Sequence, residues 1–282
     1  AQVERILRAL GMQVSASGEG WQVLAPGSRF DIAIEEDLIE ELARIHGYDR
    51  IPATVPGGPA RIVAPSETRV GEADLRRHLV ARDYLEAVCF SFVDADVLGH
   101  WQAGTGSVPL ANPLSAELAV MRPRLLPGLV AALARNVARQ AGRVRLFELG
   151  RVFAAPDEAQ RTPGGPMPAP LETRRVAAVA CGPATTEQWG VPSRKVDFHD
   201  LKGDLESLAA AAGATLVFRP SAEPFGHPGR STEVYRTDLE AGEVHLGWIG
   251  QLHPRLARAL DLDVEVVAFE LDLEALEHRA LP

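Results

Sequence analysis

The stretch RFDIAIEEDLIEELARIHGYD, Arg29 to Asp49, reads as an extended segment running into a helix. Leu38, Leu42 and Ile45 recur at helical spacing, with Ile39 on the edge of the apolar face they form. Glu35, Glu36 and Asp37 fall in the first turn, where carboxylates complement the positive end of the helix dipole. Gly47 follows the last periodic residue and is a natural C-terminal cap. Asp37, Glu40 and Glu41 stand at i, i+3 and i+4 and so share one face. Asp31 lies on the extended segment, which can fold back toward them. Carboxylates gathered in this number repel each other unless a cation compensates, and two readings are open. Hard oxygen ligands of this kind suit Mg²⁺ or Ca²⁺. Arg44, four residues after Glu40 and three after Glu41, equally allows ordinary surface salt bridges.

Working outward, residues 3–10 form an amphipathic helix pattern ended by Gly11. Met12–Ser15 and Trp21–Leu24 read as strands around a hairpin turn at Ser17–Gly20. Helix, hairpin and helix have winged-helix-like proportions, but the acidic face of the last helix argues against docking on phosphates. Residues 52–66 hold four prolines and two glycines and read as a linker. This predicts an α+β chain with a small α/β domain at 1–66, acidic helix and linker included, and a larger one at 67–282. In the larger part the pattern predicts a helix over 67–83, with Val70, Leu75, Leu79 and Val80 on its apolar side, then a strand over Tyr84–Val93. Asn112–Ser115 is a turn, and a helix follows Met121–Leu129 through Asn136 and Arg139. Leu146–Phe153 and Val176–Cys181 are strands separated by a surface loop at 154–172. Val196–Glu206 opens a helix that runs to Ala212 and ends at Gly213.

The 282 residues suggest about two domains. With 46% hydrophobic and 24% charged residues, the chain can bury a real core. A net charge of −9 excludes a basic footprint over the whole chain, so any RNA contact is local or made by a partner. Cys89 and Cys181 sit in apolar, strand-like runs and read as buried thiols in a reducing, cytoplasmic setting. No signal peptide or membrane-spanning run is visible. The chain opens directly in a helical pattern at Ala1 without a methionine, which suggests a piece of a longer protein.

Several runs resemble the β subunit of bacterial phenylalanyl–tRNA synthetase. In the small domain the match includes Arg29–Asp31, Glu36–Glu41, Arg44–Ile45 and Gly47–Pro52. The most specific part is the run from Asn112-Pro113 through Met121-Arg122 and Leu125–Leu129 to Phe147-Glu148 and Gly150–Phe153. Val196–Glu206, His227–Ser231, Leu246–Pro254 and Val266–Leu271 have close counterparts. Asp83 stands where the family often has glycine, and His199 where it often has tyrosine or phenylalanine. The resemblance implies that residues 67–282 keep the antiparallel sheet and flanking helices of class II aminoacyl–tRNA synthetases as an inactive catalytic-like module. It implies Mg²⁺ ligands at Asp31, Asp37, Glu40 and Glu41. It implies a partner, the catalytic α subunit of an α2β2 heterotetramer, which activates Phe with ATP and charges tRNA(Phe). The chain would then be a non-catalytic scaffold within an ATP-dependent ligase. The family's editing region lies upstream of these residues and its anticodon-binding domain downstream.

A class II site needs one arginine on an antiparallel strand for the ATP α-phosphate, and a glycine-rich strand and helix with a second for the γ-phosphate. Arg145–Glu148 takes the first place and Gly247–Arg255 the second. Trp248, Ile249 and Leu252 occupy space that nucleotide would need, so Arg145 reads as a surface or interface arginine. His227 and His253 each precede proline and read as turn residues, without the ligand spacing of a metal site. Asp197, Asp200, Lys202, Asp204 and Glu206 read as a charged helix end or subunit contact. No catalytic triad, P-loop or dinucleotide fingerprint is present. The helical runs at 67–83, 122–139 and 201–212 are the expected interface elements, and their apolar stripes leave a homodimer open for the isolated piece. Two rivals remain: an autonomous adenylate-forming ligase, and a winged-helix nucleic-acid-binding module.

Overall fold

The computed structural model describes residues 2–54, 57, 66, 67, 69–102, 106–156, 169–239 and 242–278. The chain divides into two compact units, Ala1–Val63 and Ala64–Pro282. Most of the expected linker, and residues 157–168 of the expected surface loop, lie outside the described residues.

The first unit opens with helix α1, Gln2–Ala9. Strands β1, Gln13–Ser17, and β2, Gly20–Leu24, pair antiparallel from Gln13 opposite Leu24 to Ser17 opposite Gly20. Helix α2, Glu35–His46, follows, and Gly47 at φ +94° closes it, its N–H donating to Ala43 O. The core is small: Leu7, Met12 and Val14 are buried, with Val23, Ile32, Leu38 and Leu42 packed on them. The expected apolar stripe on α2 is therefore shorter than its periodicity, because Ile45 stays 47% exposed outside this cluster.

The second unit contains, in chain order, α3 (Glu72–Ala81), β3 (Leu85–Glu86), β4 (Phe92–Val93), α4 (Ala95–Trp101), β5 (Val108–Pro109), β6 (Val120–Met121), α5 (Leu126–Ala138), β7 (Val144–Ala154) and β8 (Leu171–Cys181). There follow α6 (Phe198–Ala211), β9 (Leu216–Pro220), β10 (Gly226–Leu239), β11 (Gly242–Leu252), α7 (Pro254–Ala259), β12 (Val267–Asp272) and α8 (Leu273–Glu277). The main sheet has seven strands in the order β3-β7-β8-β12-β11-β10-β9. All its pairings are antiparallel except the short parallel contact of β3 with β7. Strands β4, β6 and β5 form a separate small sheet.

The central strands are buried on both faces. Side chains alternate along a strand, so Val176, Ala178 and Ala180 of β8 face one cluster with Leu75, Leu79, Leu201, Leu205 and Leu276 of α3, α6 and α8. Ala177, Val179 and Cys181 face a second cluster with Trp101, Leu126, Leu129, Val130, Leu133 and Leu256 of α4, α5 and α7. Helix α5 supplies its apolar face at i, i+3, i+4 and i+7 and carries Pro127 in its first turn, where no N–H is lost to the ladder. Asp197 caps α6, accepting from the backbone N–H of His199 and Asp200, while the Asp200 carboxylate accepts from Asp197 N. Both cysteines are free thiols, Cys181 buried and Cys89 half-buried. Burial, reinforced by Glu148, pushes the Cys89 thiol up to about 12.

Two expectations are corrected. The helix expected over 67–83 covers only Glu72–Ala81. Ahead of it, Val70 N donates to Glu277 O and Arg69 bridges His278, holding the chain extended, and Asp83 at φ +70° ends the turn after it. The strand expected over Tyr84–Val93 survives only as β3 and β4. After Ala87 N donates to Phe147 O, the segment leaves the sheet and is held by side chains instead. Cys89 N donates to the Glu148 carboxylate, and Arg122 reaches Phe90 O.

Gly247 has φ +151°, and a Cβ there would stand 2.1 Å from Glu270 O of the adjacent strand. Gly247→Ala is expected to destabilise the chain by roughly 2–4 kcal/mol through backbone strain and overpacking. Gly203→Ala, in α6 with no atom within 4 Å of the new methyl, is expected to stabilise by about 0.5–1 kcal/mol. Urea denaturation of the two variants beside the parent chain checks both signs.

Candidate functional site

The acidic helix gathers its charges around arginines. Arg29 Nε and Nη2 donate to the Asp31 carboxylate at 3.0 and 2.7 Å, and Arg29 Nη1 donates to Glu41 at 3.2 Å. Arg44 Nη2 donates to the same Glu41 at 2.6 Å. These two guanidiniums hold the Glu41 carboxyl down at about 2, and Glu41 is buried despite its charge. Asp37 turns to the backbone, accepting from Ala33 N at 2.7 Å and Ile34 N at 2.9 Å at the start of α2. Those bonds lower its carboxyl below the ordinary aspartate range. Glu40 is exposed. Asp31 and Glu41 are thus brought to one guanidinium, while Asp37 and Glu40 are not drawn into that contact.

A metal implied at these residues has to be tested against this arrangement. Among the described residues, no group of three or more His, Cys, Asp or Glu side chains could hold a metal ion. Three of the four carboxylates already have donors, and the positive charge they require comes from Arg29 and Arg44. As arranged, they do not fit a divalent cation. Sequence reasoning considered Arg44 but missed Arg29, whose place ahead of the helix gives no periodic signal.

The catalytic-like face is closed. Arg145 is not the surface or interface arginine its position suggests: it is 9% exposed, pointing into the cluster beneath α3 and α6. Arg145 Nη1 donates to Asp204 Oδ2 at 2.9 Å and Nη2 to Ala184 O at 3.0 Å. Asp204 also accepts from Arg82 at 2.6 and 2.8 Å and from Tyr84 OH at 2.8 Å. The helix cluster around it therefore mixes a buried centre with a charged end, where Asp200 pairs with Arg194 and Lys202 with Glu206.

On the other face Trp248 and Leu252 are buried, while Ile249 is buried in the cluster under α3 and α6. The Trp248 ring lies 4.9 Å from Phe225, which lies 5.6 Å from Trp101. A Cβ on Gly226 or Gly250 would come within 3 Å of Trp248, so these glycines seat the indole. Buried pairs Arg122–Glu148 (2.8 Å) and Arg175–Glu270 (3.0 Å) line the same side. Glu270 also accepts from Leu125 N and Leu126 N. These pairs escaped sequence reasoning; their signal was a charge inside otherwise apolar strand runs. His227 and His253 each accept a backbone N–H at Nδ1, from Gly229 and Arg255, as turn histidines do.

The helices expected at the interface use their stripes internally: Leu133, Leu201, Leu205 and Leu208 are fully buried. Exposed apolar side chains group on and beside the interrupted strand, Leu85 (71%), Val88 (92%) and Phe90 (73%), while Val80, Leu114, Leu171, Trp189 and Val191 are exposed at other places in the unit.

An antiparallel sheet with helices packed on both faces defines a class II synthetase-like fold. The pyrrolysyl tRNA synthetase PylSc of Desulfitobacterium hafniense is similar in structure, with a TM-score of 0.50 at 18% identity over 73% of this chain and 64% of that chain. Residues 51–273 match the family model of the phenylalanyl tRNA synthetase beta chain CLM domain, and residues 1–48 that of the tRNA synthetase B5 domain. The chain is 64% identical over all 282 residues to the phenylalanine–tRNA ligase beta subunit of Xanthomonas campestris pv. campestris strain 8004. It is 60% identical over 281 residues to that of Xylella fastidiosa strain 9a5c. It spans 34% of the length of each. The chain belongs to the phenylalanine–tRNA ligase β-subunit family.

Removing the Arg29 guanidinium frees Asp31 and half of the Glu41 contact. Arg29→Gln is expected to strengthen Mg²⁺ binding, because it removes a cation that competes for Asp31 and Glu41. Isothermal titration of parent and variant with MgCl₂ reads it, and equal affinities would show that Arg29 does not compete.

Proposed function

We propose that the chain is a non-catalytic, structural part of phenylalanine–tRNA ligase. It scaffolds the catalytic α subunit, which activates Phe with ATP and charges tRNA(Phe) in a cytoplasmic α2β2 assembly. The observation that carries this reading is the packing of the central strands on both faces beside a bare apolar segment: helices cover the sheet where Arg145 and Trp248 lie, yet Leu85, Val88 and Phe90 are exposed. Exposed apolar residues grouped in this way favour a protein partner. The small unit, with its winged-helix-like order of elements, serves the same assembly. Of the four carboxylates implied as Mg²⁺ ligands, Asp31, Asp37, Glu40 and Glu41, three are taken by Arg29, Arg44 and backbone N–H groups, so Mg²⁺ there would require those donors to release them. Among the described residues no helix is long and apolar enough to cross a membrane.

Val88→Glu with Phe90→Glu is expected to abolish complex formation with the α subunit, while the melting temperature of the chain alone changes little, because both side chains are exposed. Light scattering on a sizing column reads the complex. An unaltered stoichiometric complex with the variant would rule this face out. ATP–pyrophosphate exchange by the chain alone would overturn the non-catalytic reading.

A further inference from the structure

A cavity of about 210 Å³ in the second unit is rimmed by His100 and Gln102 at the end of α4 and by His253 and Arg255 at the start of α7. Its cations are uncommitted. Most arginines of this chain are tied to carboxylates, but among the described residues neither Arg255 nor Arg258 has an ion pair, and Arg258 Nε reaches only Pro254 O at 3.4 Å. His253 gives Nδ1 to the Arg255 N–H, which leaves Nε2 for a ligand. The positive surroundings act on His253, whose protonated form is disfavoured first by burial and then by Arg255, His227 and Arg258. Gln102, which follows α4, sits at φ +53°, a left-handed conformation uncommon for glutamine. The carboxylates in the neighbouring sequence are Asp94 and Asp96 at the start of α4, Asp261 and Asp263 after α7, neither of them in an ion pair with Arg255 or Arg258, and Glu223, which is already paired with Arg124 at 2.6 Å.

Two properties choose the ligand. Side chains of this kind, arginine and imidazole without opposing carboxylates, recognise phosphate. The volume is below the roughly 300–1,000 Å³ of sites that enclose a small molecule, so it suits a single phosphate group and not a whole nucleotide. On a chain of net charge −9, such a local cluster is where a polyanion can approach. We propose that His100, Gln102, His253 and Arg255, with Arg258 beside them, bind a backbone phosphate of tRNA, giving this chain its own contact with the nucleic acid. The inference rests on the ligase reading above, since that assembly brings tRNA to the chain.

The test is made on the complex with the α subunit, and complex formation is scored first. Arg255→Glu with Arg258→Glu is expected to weaken tRNA(Phe) binding at low salt by about tenfold and to reduce the slope of log K against log salt by about one for each phosphate contact removed. His253→Gln, which removes no formal arginine charge, is expected to give a smaller loss in the same direction. Unchanged affinity and slope in an intact complex would overturn the proposal without touching the ligase reading. Failure of the parent chain to form any complex would overturn that reading, and the same tRNA titration on the chain alone then decides the phosphate contact. An arm with inorganic phosphate distinguishes the source. Millimolar phosphate that binds the parent chain, shifts the His100 and His253 imidazole resonances and leaves tRNA affinity unaffected would assign the cavity to a small anion and overturn the RNA contact.

Discussion

A single carboxylate, Asp204, fixes much of the second unit. It stands on α6, is almost wholly buried, and accepts from Arg82 after α3, Tyr84 before β3 and Arg145 of β7. Arg145 in turn holds Ala184 O, so the loop after β8 is fastened to the same point. A buried charge is tolerated only where donors surround it. Here the donors come from elements far apart in sequence, so the ion cluster can form only when helix, strand and loop are in register together. The apolar cluster around it, from Leu75 to Leu276, supplies the bulk of the burial free energy but little of this specificity.

The second constraint is the absence of a free sheet face. Synthetase chemistry on a class II fold needs a sheet surface open to ATP. In this chain helices cover the sheet on one side, and on the other α4, α5 and α7 close over Trp248, Phe225 and Trp101. The charges that remain there, Arg122 with Glu148 and Arg175 with Glu270, are matched to each other and to the first backbone N–H groups of α5. Glu270 braces the helix against the sheet.

Much of this was legible from local pattern. The apolar stripe of α5, the opening of α6 near Val196 with its closing Gly213, and the long apolar runs of β7 and β8 all depend on near neighbours, and all appear in the fold. Illegible features depend on distant groups. Tyr84–Val93 has the composition of a strand, but after Ala87 the ladder with β7 stops, Glu148 and Arg122 side chains hold Cys89 N and Phe90 O, and backbone pairing resumes only at Ser91–Val93 with another strand. The acidic face of α2 was read as a gathering of carboxylates, whereas Arg29, twelve residues before Glu41, answers them. Arg145 looked like a surface residue because its partner, Asp204, is 59 residues away.

Val88 and Phe90 stand almost bare on a segment whose backbone is pinned at Ala87, Cys89 and Phe90. Such a segment does not collapse onto its own core when left alone. To the folding machinery of a cell, an apolar strand left without a neighbour carries the same signature as an incompletely folded chain. Left uncovered, the segment is open to chaperone capture and proteolysis, and covering it would remove that liability.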